Sequence, residues 1–336
     1  MTERIHALSV MSGGLDSILA TRVVMDQGVD VTAIHFVTPF FGLYAEGEGD
    51  LFSERMADRY GIRGRSVDVT NAYITMLASP QYGYGKNFNP CVDCKILLFS
   101  TARRIMEESR ARFIVTGEVL GQRPMSQRRD TLRVIERDSS TTGLLLRPLS
   151  AKLLKPTIPE IEGWVNREAL FGFSGRSRKP QIELASRMGI SGYPAPAGGC
   201  CLTDPIQGAR IRRLYQIKDR PEAREAVLIQ IGRPFYLGDG VVLTVGRNEE
   251  ENDRIEGLAR NGDTFVKIVD MPGPLGLIVG NPTEDQIGRA TGIIAHYSKA
   301  RGMSKIKIGV GSCPDSFGRV REATPIDNEA VEEMKF

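Results

Sequence analysis

Ser12-Gly13-Gly14-Leu15-Asp16-Ser17 lies between an apolar run, Ile5–Met11, and a helix-like run, Ile18–Gln27. The order reads as strand, glycine-rich loop, helix N-terminus. That geometry turns backbone N–H groups and the positive end of a helix dipole toward one point, which suits phosphate. Gly13 and Gly14 let the backbone approach an anion closely, and Ser12 and Ser17 add hydroxyl donors. Asp16 repels a bare phosphate unless a cation stands between them, so the loop suits a nucleotide carrying Mg2+. Neither G-x-x-x-x-G-K-[ST] nor G-x-G-x-x-G occurs at this turn, which excludes the two commoner phosphate loops. A plain serine/glycine turn is the alternative.

Outward from the loop, residues 1–150 alternate strand-like and helix-like runs. Val31–Val37, Gly64–Val69, Arg112–Thr116 and Leu144–Pro148 read as strands. Ser53–Tyr60 and Lys95–Ser109 read as helices. This βαβα order predicts a parallel sheet covered by helices, with ligand at the carboxyl ends of the strands. Both Ser12–Ser17 and Thr116-Gly117-Glu118 sit at such ends. Tyr82–Pro90 and Gly192–Pro205 read as loops, and Ile158–Leu170 and Pro180–Met188 as helices. Arg210–Arg224 reads as a basic amphipathic helix or linker.

From about residue 225 the pattern changes to a separate α+β unit. Ala226–Ile231 and Thr283–Ala300 are helix-like. Gly240–Gly246, Phe265–Val269, Gly276–Val279 and Ile306–Val310 are strand-like. The expected division is a first domain over 1–208, a basic linker or helix over 209–224, a second domain over 225–311 and a poorly packed polar tail over 312–336. A chain of 336 residues is long enough for two domains.

Net charge is only +3, so a nucleic-acid surface must be a local patch. Met1–Val10 lacks a signal-peptide pattern and no apolar run approaches a membrane span, so the cytoplasm is expected, with no membrane partner. Five cysteines, an odd number, argue for metal or redox chemistry over a disulfide framework. Asn89-Pro90-Cys91-Val92-Asp93-Cys94-Lys95 places C-x-x-C on a loop entering a helix. The helix dipole and Lys95 would favour the Cys94 thiolate there. Gly198-Gly199-Cys200-Cys201 is a second cysteine site. Adjacent cysteines point in different directions, so one of Cys200 and Cys201 is expected to join Cys91 and Cys94. Cys313 is expected to be a bystander.

The loop resembles the S-G-G-x-D-S of the PP-loop ATP pyrophosphatases, which cut ATP between the α and β phosphates and adenylate a substrate. Val115-Thr116-Gly117-Glu118-Val119-Leu120-Gly121-Gln122, followed by Ser126-Gln127, looks like the T-G-E-x-L-G-Q…S-Q run of tRNA 4-thiouridine synthetases. Leu146-Arg147-Pro148-Leu149 resembles the strand after it. Asn89-Pro90-Cys91-x-x-Cys94 looks instead like the N-P-C-x-x-C of tRNA-specific 2-thiouridylases, and Gly198-Gly199-Cys200 is similar to the second cysteine site of PP-loop thiouridylases. The resemblance spans residues 5 to about 205. It implies an α/β, parallel-sheet PP-loop domain (adenine nucleotide α-hydrolase-like), followed here by a smaller α+β domain. The chain opens directly at the loop, without the RNA-binding domains that precede it in 4-thiouridine synthetases, so the grip on RNA is expected elsewhere. Val245-Gly246-Arg247-Asn248-Glu249-Glu250-Glu251-Asn252-Asp253 resembles the G-R-N-x-x-x-N-[DE] segment of the NFACT-R RNA-binding domain. A turn before a solvated acidic helix start is the alternative.

What the resemblance implies is ATP-dependent uridine thiolation of RNA, with tRNA as the expected acceptor. Ser12, Gly13, Gly14, Asp16 and Ser17 would hold ATP, with Thr116, Gly117 and Gln122 lining the nucleotide or the base. His35 and Phe36 bracket the adenine or serve the core. Cys91, Cys94 and Cys200 (or Cys201) hold a [4Fe–4S] cluster that binds sulfide. Alternatively Cys94 and Cys200 form a persulfide and resolving-thiol pair, or the thiols are a zinc site or simply buried. The sulfur donor would be sulfide or a persulfide-carrying desulfurase. Arg210, Arg212, Arg213, Arg247 and Asn248 are the candidate RNA contacts. Lys218, Arg220, Arg224, Lys299, Arg301, Lys305 and Lys307 extend the patch or form a solvated face. Two other classes stay open: a PP-loop ligase or amidotransferase adenylating a small molecule, and an RNA-binding factor with a degenerate ATP site.

Overall fold

The computed structural model describes residues 4–42, 51–195, 200–299, 301–314 and 316–336. Gly198 and Gly199, and residue 300 at the end of an expected helix, lie outside them. The chain divides into two compact units, 1–203 and 204–336.

The first unit runs β1 (His6–Val10), α1 (Leu15–Met25), β2 (Asp30–Val37), α2 (Leu51–Tyr60), β3 (Gly64–Asp68), α3 (Thr70–Ala78), α4 (Cys91–Glu108), β4 (Phe113–Thr116), α5 (Arg129–Asp138), β5 (Leu145–Leu146), α6 (Ile158–Ile161) and α7 (Lys179–Arg187). Five strands form one parallel sheet in the order β3-β2-β1-β4-β5. Alternation along the strands splits the core into two layers. Ala7, Phe113, Val115 and Leu146 face a cluster with Leu15, Leu19 and Val23 of α1 and Leu184 and Ala185 of α7. Leu8, Ile34, Ile114 and Leu145 face the opposite cluster, with Phe99, Ala102 and Ile105 of α4. The order of strands reverses direction between β1 and β4, so the loops after them diverge and leave a crevice at the carboxyl edge. Ser12–Ser17 and Thr116-Gly117-Glu118 flank that crevice.

A buried ion cluster pins the same edge. Arg147 Nε donates to Glu118 Oε2 at 3.1 Å, with each side chain 2% exposed. Arg147 also pairs with Glu136 of α5, and Lys95 of α4 stands 3.5 Å from Glu118 Oε1. Glu118 therefore joins the ends of β4 and β5 to the first turns of α4.

The second unit runs α8 (Pro205–Ile217), α9 (Ala223–Leu228), β6 (Arg233–Gly238), β7 (Val241–Val245), α10 (Glu249–Gly257), β8 (Thr264–Ile268), β9 (Leu275–Val279), α11 (Glu284–His296), β10 (Ile306–Gly311), β11 (Arg319–Ala323) and α12 (Asn328–Met334). Its six strands are antiparallel throughout, in the order β11-β10-β8-β9-β7-β6. Leu243, Val266 and Ile278 face Ile287, Ile293 and Ile294 of α11. Phe265, Leu277 and Val279 face Leu228 of α9 and Ile255 of α10.

Several expectations are corrected. The helix expected over 158–170 stops at Ile161, because Gly163 adopts a positive φ of +67°, and only a 3-10 turn, Arg167–Ala169, follows. The division falls at 203/204 rather than 208, since Asp204 caps α8 by accepting from Ile206 N (2.9 Å) and Gln207 N (2.8 Å). The stretch expected as a basic linker or helix holds most of α8, in keeping with the helix reading. The expected tail holds β11, paired along β10, and α12, which buries Val331 at 1% exposure. No helix among the described residues is long and apolar enough to cross a membrane.

Replacing Arg147 by Ala leaves the Glu118 charge buried without its main partner. The first unit is expected to lose about 3–5 kcal/mol, measured by urea denaturation of the variant against the parent chain.

Candidate nucleotide and thiol site

Gly14 is the N-cap of α1 and no side chain caps the helix, which leaves the first turn open to an anion. Gly13 takes φ +77°, and a Cβ there would stand 2.7 Å from the Phe52 ring. Ser17 Oγ donates to Gly14 O at 2.8 Å, and Ser12 Oγ lies 3.4 Å from Ser17 Oγ. Across the crevice Gly117 meets this loop backbone to backbone. A Cβ at 117 would stand 2.5 Å from Ser17 N and 2.6 Å from Asp16 C. Gln122 Nε2 donates to Asp16 Oδ2 at 2.7 Å, while Asp16 Oδ1 is buried with no partner. That open carboxylate oxygen fits Mg2+, which takes one or two carboxylates beside substrate phosphates.

The structure brings Ser12, Gly13, Gly14, Asp16, Ser17, Gly117 and Gln122 together, with Thr116 at the end of β4 (2% exposed). It does not bring Phe36: that ring is 4% exposed inside the apolar layer with Leu8 and Ile34, so adenine bracketing is corrected to core packing. His35 is 6% exposed, lies 3.0 Å from Met11 O through Nδ1 and stacks on Phe52 at 3.7 Å. It ties β2 to the end of β1.

Cys91 is the first residue of α4, so the C-x-x-C lies within the helix's first turns rather than before it. Asp93, 7% exposed between the two cysteines, accepts from Gln81 N (2.8 Å) and Tyr82 N (3.1 Å), anchoring the loop ahead of the helix. Asn89 Nδ2 donates to Cys91 Sγ at 3.2 Å and to Met125 Sδ at 3.3 Å. Asn87 Nδ2 donates to Thr203 O at 2.6 Å, and Thr203 Oγ1 donates to Cys200 O at 2.7 Å. One asparagine-rich loop thereby holds both cysteine segments.

The thiols of Cys91, Cys94 and Cys200 interact electrostatically with one another, and Cys94 also hydrogen-bonds the Tyr73 hydroxyl. Burial pushes the Cys94 thiol up to about 12, against the opposing pulls of Lys95 and Tyr73. The expected Cys94 thiolate is corrected: desolvation outweighs the cation and helix terminus. Burial raises Cys200 as well, opposed by the Leu202 and Thr203 backbone, and burial raises Tyr73 well above its ordinary value. Cys200, of the adjacent pair, interacts with Cys91 and Cys94. Cys201 N donates to Phe40 O at 3.4 Å. Among the described residues no three Cys, His, Asp or Glu side chains stand in an arrangement that holds a metal ion. The donor type of these three sulfurs suits a cluster or zinc. Cys313 is exposed, in the second unit.

Tyr73, Asp93 and Gln181, whose contact is with Gln122, escaped sequence reading. Tyr73 had a signal in the helical spacing of Tyr73, Ile74 and Leu77, all buried on α3.

In the second unit the G-R-N-x-x-x-N segment is built for packing. A Cβ at Gly246 would stand 2.1 Å from Asn252 Oδ1, and that oxygen accepts from Leu275 N at 3.1 Å. Asn248 caps α10 by accepting from Glu251 N at 2.9 Å, and Arg247 Nη2 pairs with Glu251 at 2.5 Å. Asn248, expected as an RNA contact, is exposed and serves as the cap of α10. Arg213 donates to Lys335 O and lies 5.5 Å from the Phe336 ring, so it holds the end of the chain. Arg224 pairs with buried Asp263, and Lys218 with Glu225. Lys305 pairs with Glu322 at 2.5 Å, Lys307 with Asp270 at 3.6 Å, and Arg301 donates to Asn328 at 2.8 Å. Arg212, Arg220 and Lys299 are exposed. Arg210 Nε is buried without a partner, and both burial and Arg247 disfavour its charge.

The first unit is a five-stranded parallel sheet with Ser12–Ser17 at its switch point. Residues 3–161 match the family model described as thiamine biosynthesis protein (ThiI), and residues 232–334 match the NFACT protein RNA binding domain. A probable tRNA sulfurtransferase of Methanothermobacter thermautotrophicus is 33% identical over 116 residues, which cover 34% of this chain and 29% of the relative. A tRNA-specific 2-thiouridylase MnmA of Clostridium acetobutylicum is 33% identical over 119 residues, covering 32% and 34%. The chain spans about a third of the length of these curated relatives. A 4-thiouridine synthetase in complex with RNA and bound ATP is 20% identical, with TM-score 0.38, over 66% of this chain and 53% of that one.

Diamide oxidation followed by tryptic mass spectrometry is expected to join the Cys91/Cys94 peptide to the Cys200/Cys201 peptide and leave Cys313 unlinked. Asn252→Ala is expected to cost the second unit about 1–2 kcal/mol in urea unfolding while RNA affinity in a filter-binding assay stays unchanged.

Proposed function

We propose that this protein is an ATP-dependent RNA uridine sulfurtransferase, with tRNA as acceptor. The observation that carries the reading is the presence, in one unit, of an uncapped phosphate loop with an open Asp16 oxygen and of three mutually interacting thiols. The matched tRNA sulfurtransferases and 2-thiouridylase support the chemistry, and the NFACT-R_2 match supports an RNA acceptor over a small molecule. We place the reaction in the cytoplasm.

A uracil oxygen is a poor leaving group and AMP is a good one, so the base must be activated first. The open first turn of α1 receives the phosphates, and Ser12 and Ser17 donate to them. Asp16 Oδ1 is the atom that would hold Mg2+, whose charge would offset that of the departing pyrophosphate. The uridine carbonyl oxygen bonds to the α-phosphorus as the bond to pyrophosphate breaks. The base must leave its stack to reach this crevice.

Sulfur delivery follows through the thiols. A persulfide on Cys94, loaded by a desulfurase, attacks the adenylated carbon with its outer sulfur, and AMP leaves with the C–O electron pair. Cys200 Sγ then attacks the inner sulfur. The S–S bond breaks with its electron pair going to the outer sulfur, which stays on the base and becomes the thiocarbonyl as the ring nitrogen takes up a proton; a Cys94–Cys200 disulfide forms, and a cellular dithiol reduces it for the next turnover. Burial keeps both thiols protonated, so the Cys200 proton must be removed as it attacks. An iron–sulfur cluster bound by the same thiols is the rival carrier, favoured by their donor type.

Asp16→Asn is expected to abolish AMP and pyrophosphate formation. Cys94→Ala is expected to keep pyrophosphate formation and lose thionucleoside, read by nucleoside mass spectrometry of treated tRNA. Retained thiolation in Cys94→Ala defeats the cysteine route. Anaerobic purification with iron and sulfide analysis separates the carriers, and full activity in iron-free protein upholds the persulfide.

A further inference from the structure

Gln181 is fully buried on α7. Leu184 and Ala185, one turn on, seat that helix against Leu15 and Leu19 of α1. Positions 181, 184 and 185 share one helix face, so the packing that docks α7 also brings Gln181 to the loop where α1 begins. Its Nε2 donates to Gln122 Oε1 at 3.3 Å, and Gln122 Nε2 donates to Asp16 Oδ2 at 2.7 Å. A carboxylate only accepts, so Asp16 admits the Gln122 amide in a single orientation, nitrogen inward. The Gln122 oxygen then needs a donor, and the Gln181 amide nitrogen supplies it. The relay has a fixed polarity from α7 to the nucleotide loop. It leaves two buried oxygens without a donor, Asp16 Oδ1 and Gln181 Oε1.

We propose that Gln181 is a positioning residue for the nucleotide site: acting through Gln122, it fixes the Asp16 carboxylate so that Oδ1 stays open to the metal–phosphate group. This rests on the ATP-cleaving reading above. Gln181 does not touch ATP in this role. A group that only filled the core would tolerate any side chain of the same shape. A positioning group requires a donor.

Gln181→Glu keeps the shape and reverses the polarity. When ionised, the introduced carboxylate only accepts, so it draws the Gln122 amide nitrogen away and turns the Gln122 oxygen onto Asp16. When protonated, it donates again. The test is binding of an ATP analogue with a non-hydrolysable α–β bridge, in Mg2+, to the full chain by calorimetry between pH 5 and 8, beside thermal unfolding. Wild type is expected to bind across the range. Gln181→Glu is expected to bind at least tenfold more weakly at pH 8 and to recover toward wild type as the pH falls. Gln181→Met, of similar volume and with no donor, is expected to bind weakly at every pH, and it stands in should the Gln181→Glu variant not fold. Binding within twofold of wild type in folded variants, or a Gln181→Glu loss that does not change with pH, overturns the proposal. Failure of wild type to bind the analogue overturns the nucleotide reading itself.

Discussion

Everything at the carboxyl edge of the first sheet depends on one close approach, Gly117 against the backbone of Asp16 and Ser17. Neighbouring parallel strands send their loops to opposite faces of the sheet at a switch point. Here the two loops still touch, because the residue after β4 has no side chain. The contact sets the height of the glycine loop and puts Gln122, five residues on, within 2.7 Å of Asp16. Any Cβ at 117 would need the start of α1 to move away.

Glu118, the next residue, turns that local contact into a scaffold. Its charge is buried and held by Arg147 and Lys95. A buried ion cluster gives little net stability but has few satisfactory geometries, since breaking it strands a charge. It therefore sets where α4 begins, and with it where Cys91 and Cys94 stand. The Asn87 and Asn89 amides then bring Cys200 to them. The glycine loop and the thiols are mechanically one assembly, joined through Gly117, Glu118 and Lys95.

The second unit separates a motif from its contacts. Gly246, Asn248 and Asn252 look like recognition residues in sequence, and each does structural work: clearance, helix cap and bridge to β9. Most of its basic residues are matched by carboxylates or backbone carbonyls. A modest net charge built from such pairs leaves little long-range pull on a polyanion.

Local pattern was enough to read the four strands through residue 116, the helices α1, α2 and α4, the glycine loop and the cysteine pair, because each is encoded by neighbours in sequence: period, turn glycine, helix start. The charged α5 and the short α3 were missed because their apolar faces are narrow, and β11 and α12 because their few apolar positions count only once β10 and α11 lie beside them. Phe36 looked like a ligand residue at a strand end, yet strand alternation turns it inward. The Cys94 thiolate followed from the helix terminus and Lys95, and burial by distant residues reversed it. Sequence by itself determined which chemical groups the protein owns. Only tertiary structure decided which of them meet, which are desolvated and which, like Gln181, matter through a neighbour, because desolvation and hydrogen-bond polarity are properties of three-dimensional surroundings.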